Sequence, residues 1–189
     1  MVNSAIDTHD RSVTCVALPS ESRVAGFYPA TDLADAYAIA LPNDAITDPE
    51  SLARFVLAQQ APWVAGLMRI RDMLVAGFGL KTARQLKEPA AGSDKRVGIF
   101  KVYEIGSHEV LLGEDDKHLD FRVSVLHQTR TLGAQSIRSL TVSTVVHCHN
   151  RLGRMYILLI APFHRLIVQS SLRRAARVGW PRQGFPSRP

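Results

Sequence analysis

Two side chains in the last quarter of the chain, Tyr156 and His164, could carry proton-transfer chemistry. An imidazole titrates near neutral pH, and a phenol can donate a hydrogen bond to a carbonyl or hydroxyl group. Pro162 precedes His164 in a helical pattern and would leave a backbone carbonyl free for a ligand or a polar side chain. The two residues are therefore candidate catalytic groups, and a core tyrosine with a hydrogen-bonded histidine is the competing interpretation.

A second candidate site is formed by His147 and His149, which flank a cysteine. On a strand the two imidazoles would point the same way, and such a pair can ligate zinc or copper. A third ligand would have to come from His118 or Asp120 on another strand. Since the spacing identifies no such ligand, we predict no metal site, and the chain has no phosphate-cradling motif or G-x-G-x-x-G that would predict another cofactor.

Asp120 and Arg122 share one face of a predicted strand with His118. They could recognise an acidic ligand, or they could form a polar network on the wet side of a sheet. The alternation favours the network, because it places apolar residues on the opposite, buried face: Leu119, Phe121, Val123 and Val125.

Asn150 and Arg154 lie at the predicted start of the last helix. Asn150 is a good N-cap, and Arg154 could reach an acidic residue in the segment 114–116 and clamp the helix to a hairpin. The pair is more consistent with a structural role than with catalysis.

The elements that must position these residues follow from periodicity and capping signals. Asp48-Pro49-Glu50 predicts a helix start, and a second helix is expected from about Pro62 to Gly77 or Gly79. The remaining predicted elements are strands at Leu33–Leu41, Val97–Ile105, Glu109–Gly113, His118–Leu126 and Ser136–His149, and a kinked or divided helix from Arg151 to about Arg177.

The charges are unevenly distributed along the 189 residues, because residues 121–189 contain 11 arginines and no Asp or Glu. These arginines are scattered and no nucleic-acid motif accompanies them, which favours a solvated basic face over a nucleic-acid interface. The two cysteines suggest no disulfide framework, and the start of the chain does not resemble a secretory signal. We therefore expect a cytoplasmic protein with no membrane span.

Three strings of the sequence resemble the family called domain of unknown function 2867, which is placed in the helix-grip superfamily. They are APWVAGLMRIRDMLVAGFGLK (61–81), GEDDKHLDFRVSV (113–125) and TVVHCHNRLGRMYILLIAPFHRLIV (144–168). The likeness extends from about Thr31 to Arg177. It implies an α+β helix-grip fold, in which two short helices and a long C-terminal helix lie over the concave face of a curved antiparallel sheet. The expected domain spans residues 31–178, between an irregular arm (1–30) and a disordered basic tail (179–189).

The resemblance also implies a binding space for an apolar or amphipathic small molecule beneath the last helix. Relatives joined to a short-chain-dehydrogenase-like domain suggest work beside a reductase. The residues expected to border the ligand are Phe121, Val123, Thr144, Tyr156, Ile160, Phe163 and His164. The first hypothesis is thus a binding module. The alternatives are a cyclase- or dehydratase-like enzyme that uses Tyr156 and His164, and an interaction subunit that docks through its basic C-terminal half.

Overall fold

A curved antiparallel sheet and a long C-terminal helix dominate the computed structural model, which describes residues 11–67, 95–132 and 135–183. Seven strands of these residues form one sheet in the order β1-β2-β7-β6-β5-β4-β3. The strands are β1 (Thr14–Val16), β2 (Leu33–Leu41), β3 (Arg96–Val97), β4 (Phe100–Ile105), β5 (Glu109–Asp115), β6 (Leu119–Leu132) and β7 (Gln135–Cys148). The predicted α+β class is confirmed.

Helix α1 (Pro49–Ala58) begins where the capping signal predicts, because the Asp48 carboxylate accepts a 2.8 Å hydrogen bond from the Ser51 amide. Residues 62–67 are helical, and the rest of the predicted second helix, including Gly77 and Gly79, lies outside the described residues. The single strand predicted at Val97–Ile105 is wrong. Gly98 turns the chain with a φ of 62° and separates β3 from β4.

The C-terminal helix (Arg151–Val178) is capped by Asn150, whose side-chain oxygen accepts a 3.0 Å bond from the Gly153 amide. It runs as one helix through Pro162, so the division into two segments is wrong. Arg154 was expected to bind an acidic residue of segment 114–116. Its Nε instead lies 3.1 Å from the Asp32 carboxylate, which ties the helix to the start of β2.

Gly153 allows the start of the C-terminal helix to approach the sheet closely. A Cβ at this position would lie 2.3 Å from the backbone oxygen of His118. We expect Gly153→Ala to lower the free energy of unfolding by about 1–3 kcal/mol, because backbone must move to relieve the overlap. Gly66→Ala is the matched control, since a Cβ there meets nothing within 4 Å. Urea unfolding of both variants tests this, and equal stabilities would contradict it.

The sheet has an inner face, which packs against α1 and the C-terminal helix, and an outer face. Two apolar clusters occupy the inner face. The larger contains Tyr37, Ile39, Leu52, Leu140 and Leu172 among others. The smaller contains Leu33, Leu119, Val146, Cys148 and Ile157. The helix therefore contacts one cluster near its start and the other near its end.

The outer face is covered by the N-terminal arm, the described part of which (11–30) contains β1 and a series of turns. The Ser22 hydroxyl donates a 2.6 Å bond to buried Glu109, and Val24 packs against Leu111 and Val145. The expectation of a wet outer face is thus wrong, because the arm excludes water from Arg122 and Ser124, which are 6% and 0% exposed.

The chain remains ordered after the C-terminal helix. Trp180 is buried in the larger apolar cluster, and the Ile46 amide donates a 2.8 Å bond to the carbonyl oxygen of Pro181. The predicted disorder from residue 179 is therefore wrong for residues 179–183, because one large aromatic side chain anchors them. Residues 184–189 lie outside the described residues.

Candidate functional site

Polar side chains separate the two apolar clusters beneath the middle of the C-terminal helix. Asp35 lies opposite Thr144 in the pairing of β2 with β7, and Thr144 lies opposite Val123 in the pairing of β7 with β6. His164 and Arg165 reach the same place from the helix. We call Asp35, Thr144, His164 and Arg165 the polar layer.

The side chains of the polar layer approach one another at separations longer than a hydrogen bond. His164 Nε2 lies 3.5 Å from Asp35 Oδ1, and Arg165 Nε lies 3.6 Å from Asp35 Oδ2. The Asp35 side chain is 6% exposed. Both of its oxygens, Thr144 Oγ1 and His164 Nε2 are buried without a hydrogen-bond partner in the described part of the chain. Buried polar atoms of this kind are rare in folded proteins and need an explanation.

Tyr37 adds a phenol close to this layer. It lies two residues after Asp35, on the same phase of β2. Its side chain forms a hydrogen bond with the side chain of Gln169 in the C-terminal helix. Burial raises the pKa of Tyr37, and the Asp35 carboxylate adds to that rise. The phenol therefore stays protonated near neutral pH and can act as a donor.

The residues predicted to border a ligand are distributed around this layer. Thr144 is a buried member of the layer, and Val123 is buried opposite it in the larger apolar cluster. Phe121 is partly buried and packs against both apolar clusters. Ile160 is partly buried on the helix, whereas Phe163 is 40% exposed. The prediction thus names residues from both the inner and the exposed side of the helix.

Tyr156 and His164 occupy different environments. Tyr156 packs against the smaller apolar cluster, whereas His164 faces Asp35. They are eight positions apart in the sequence, which is ~12 Å along a helix axis. The imidazole is therefore paired with a carboxylate of β2, and the phenol in the polar region is Tyr37.

Asp35 is the central residue that sequence reasoning missed, although the sequence contains a signal for it. In LADAYAIAL the larger apolar residues share one phase of the strand, and Asp35 falls on that phase between Leu33 and Tyr37. A carboxylate on the buried phase of a strand indicates a functional site more strongly than one on the solvated phase. Burying a carboxylate is costly unless it binds a ligand or is paired with another group.

Arg122 lies on the outer face of the sheet, on the opposite side of the sheet from the polar layer. Its guanidinium carbon is 3.7 Å from the centroid of the Tyr103 ring and 5.0 Å from that of Phe27, and one nitrogen is 2.7 Å from an Asp115 oxygen. These contacts clamp the N-terminal arm to the sheet. They give Arg122 a structural role rather than the ionic ligand site.

The histidines near the end of β7 are engaged by protein groups. His147 Nδ1 lies 2.9 Å from the Ala30 carbonyl oxygen, and His149 Nε2 lies 2.9 Å from an Asp120 oxygen. The hydrogen bond with Asp120 raises the pKa of His149. No group of three or more His, Cys, Asp or Glu side chains suited to a metal is found within residues 11–67, 95–132 and 135–183.

Cys148 lies between these histidines and points into the smaller apolar cluster. Burial and the adjacent Asp32 carboxylate raise the pKa of its thiol to about 11. The thiolate is therefore scarce at neutral pH, which argues against a nucleophilic role.

A surface groove of about 450 Å³ lies elsewhere on the molecule, where the loop before β5 meets β6. Its lining includes Arg23, His108, Glu109, His127 and Arg130, and none of the predicted ligand residues. Both of its acidic residues are engaged: Glu109 accepts bonds from Ser22 and Ser124, and Glu21 accepts one from Gln128. The groove therefore lacks the unsatisfied carboxylate that distinguishes the polar layer.

Comparison with known proteins gives one match. A family model described as "Protein of unknown function (DUF2867)" matches residues 27–171, which include all of the polar layer. No curated protein matches the chain. No solved structure matches it either.

Proposed function

The chain belongs to the DUF2867 family, and we propose that this domain binds an amphipathic small molecule between its C-terminal helix and the inner face of the sheet. The observation that carries the proposal is the polar layer, in which buried oxygen and nitrogen atoms of Asp35, Thr144 and His164 lack hydrogen-bond partners among the described residues. Each such atom lowers stability unless something satisfies it, and a bound polar group would do so.

The chemistry of the polar layer favours a hydroxyl group on the ligand. Asp35 offers acceptors only, so the ligand must donate to it. Thr144 and His164 can donate in return, and a hydroxyl group both donates and accepts. The apolar part of the ligand would then contact the side chains on either side of the layer, among them Phe121 and Val123.

The order of the elements supports placing the domain in the helix-grip superfamily. A strand is followed by a helical region, a series of antiparallel strands and a long closing helix. Members of that superfamily hold small apolar or amphipathic molecules under the last helix, as the resemblance implies, so the fold and the polar layer favour the same binding mode.

An enzyme acting on a small carbonyl compound is the second candidate, and the contact of His164 with Asp35 favours it. A carboxylate beside an imidazole can orient the ring and stabilise its protonated form, which suits a general acid or base. Tyr37 would supply the nearby proton donor. Contacts slightly longer than hydrogen bonds are common in such pairs before a substrate binds.

We expect Ile160→Trp to abolish saturable binding of an environment-sensitive fluorescent dye, because the larger ring would fill space beside the polar layer. Dodecan-1-ol should displace the dye from the unmodified protein more effectively than dodecane. Leu158→Trp is the matched control, since Leu158 is 78% exposed on the same helix, and it should leave binding intact.

The molecules released from the purified protein distinguish the two candidates. The protein is incubated with the small molecule and then denatured, and the released molecules are identified by mass spectrometry. A binding module should release the small molecule unchanged, whereas an enzyme should release a converted product. If Ile160→Trp and the unmodified protein bound the dye equally, the ligand site would not lie beside Ile160 beneath the C-terminal helix.

A further inference from the structure

The C-terminal helix presents an apolar surface to solvent, on the side opposite the sheet. Five large apolar side chains on it are 40–78% exposed: Met155, Leu158, Leu159, Phe163 and Leu166. Their spacing of three and four residues places them along one side over ~16 Å of helix. We call these five residues the apolar stripe. A contiguous exposed apolar surface of this kind marks an interaction site more often than scattered single residues do.

Arginines border the apolar stripe on the same helix. Arg151 and Arg154 precede it, Arg165 lies beside it, and Arg173, Arg174 and Arg177 follow it; all six are exposed. The helix contains no Asp or Glu. Arg154 and Arg165 have acidic partners on β2 or just before it, Asp32 and Asp35, so the border carries more positive than negative charge. An apolar face bordered by an excess of cations is typical of helices that lie in the interface of an anionic membrane.

The orientation of the helix decides how it could meet a bilayer. By length and composition the helix could cross a membrane, and only 17% of its most apolar window is buried. Its inner side nevertheless packs on the protein through Ile157, Leu172 and Ala175. The helix therefore offers a bilayer its exposed side along its length, which suits docking parallel to the surface.

We propose that the outer side of the C-terminal helix docks on an anionic lipid surface, with the apolar stripe in the acyl boundary and the arginines among the phosphates. A second copy of the chain fits this surface less well. Two stripes packed together would bring the bordering arginines of both copies close, with no acidic residue in either helix to compensate. This inference does not depend on the ligand proposed for the inner side of the helix.

Sedimentation of the full chain with vesicles tests the proposal. We expect binding to phosphatidylcholine vesicles that contain phosphatidylglycerol to be at least about tenfold tighter than to phosphatidylcholine alone, and to weaken as salt is added. Leu158→Ser should weaken binding about tenfold, because it removes an apolar side chain from the acyl boundary. Ile105→Ser is the matched control, since Ile105 is an exposed apolar residue on β4, away from the C-terminal helix, and this variant should bind normally.

Three results would overturn the proposal. One is equal affinity for the two kinds of vesicle, or binding to neither. Another is self-association in the absence of lipid that Leu158→Ser abolishes, which would identify a second copy as the occupant. The third is salt-sensitive binding to polyglutamate without binding to anionic vesicles, which would identify an acidic protein partner.

Discussion

Replacing Asp35 by Asn should weaken ligand binding by about 10- to 100-fold while leaving the fold as stable as before or more stable. Binding falls because a ligand donor loses a charged acceptor, an interaction worth about 1.5–3 kcal/mol. Stability is preserved because the native carboxylate is 6% exposed and makes no hydrogen bond with the described residues. Removing such a charge removes the free-energy cost of burying it. Arg165 is exposed, so water can solvate its guanidinium group after the substitution.

Asp32→Asn provides the matched control for this prediction. Asp32 lies three residues away and accepts a 2.7 Å bond from the Cys148 amide and a 3.1 Å bond from Arg154. Although burial opposes ionisation, these bonds lower the pKa of Asp32 below its usual value. The control should lose stability and keep its affinity for the ligand. Dye displacement and urea unfolding of both variants give the two readouts.

The opposite pattern would assign Asp35 to the fold. If Asp35→Asn lost as much stability as Asp32→Asn and kept its affinity for the ligand, then the contacts of Asp35 with His164 and Arg165 would be structural. The polar layer would then no longer support a binding site.

The strands and the long helix could be predicted because their signals are local. Alternation identified the inner phase of β6, including Phe121 and Val123, and an asparagine cap marked the start of the C-terminal helix. The resemblance to the family supplied their arrangement. The family match over residues 27–171 confirms that membership, while the helix-grip placement stays a prediction.

Contacts made by irregular segments could not be predicted in the same way. Arg122 was expected to face water, and it is buried because Phe27 and Tyr28 of the arm lie over it. Trp180 follows the last helix in a segment without periodicity, and yet it is buried in the core. Such segments are held by single large side chains, whose partners are distant in sequence and leave no pattern along the chain.

Thr144 and His164 were predicted at the site, and Asp35 was not, for a related reason. The first two were named from their place in the strand and helix that the resemblance sets side by side. Asp35 lies more than a hundred residues earlier, opposite Thr144 only after β2 pairs with β7. Its position on the buried phase of β2 was visible, but its partners depend on strand pairing.

Arg138→Met should produce the largest loss of stability among these variants, about 3–5 kcal/mol, because several acceptors lose a charged donor together. Arg138 is 8% exposed, and its guanidinium group holds the loop between β2 and α1. It donates bonds of 2.7–3.3 Å to the carbonyl oxygens of Pro42, Asn43, Ala45 and Ile46. A methionine of similar length would fill the space but leave these oxygens without their donors, which is the costly part.

His127 strengthens this expectation. Two Arg138 nitrogens lie 3.2 Å from His127 Nε2, and an arginine can only donate, so this ring nitrogen must be the acceptor. Burial and the nearby positive charge of Arg138 lower the pKa of His127, so the neutral ring that Arg138 requires is the form present at neutral pH. Arg138→Met would therefore also remove the donors to a buried imidazole nitrogen.

Arg130→Met separates the effect of these bonds from that of losing an arginine in this hairpin. Arg130 lies on β6, paired with Ile137 beside Arg138, and its side chain is exposed. It should change the free energy of unfolding by less than about 0.5 kcal/mol. Urea unfolding of the two variants measures the difference. If Arg138→Met were no less stable than Arg130→Met, the carbonyl oxygens of segment 42–46 would have to be satisfied by water, and the loop would not depend on this arginine.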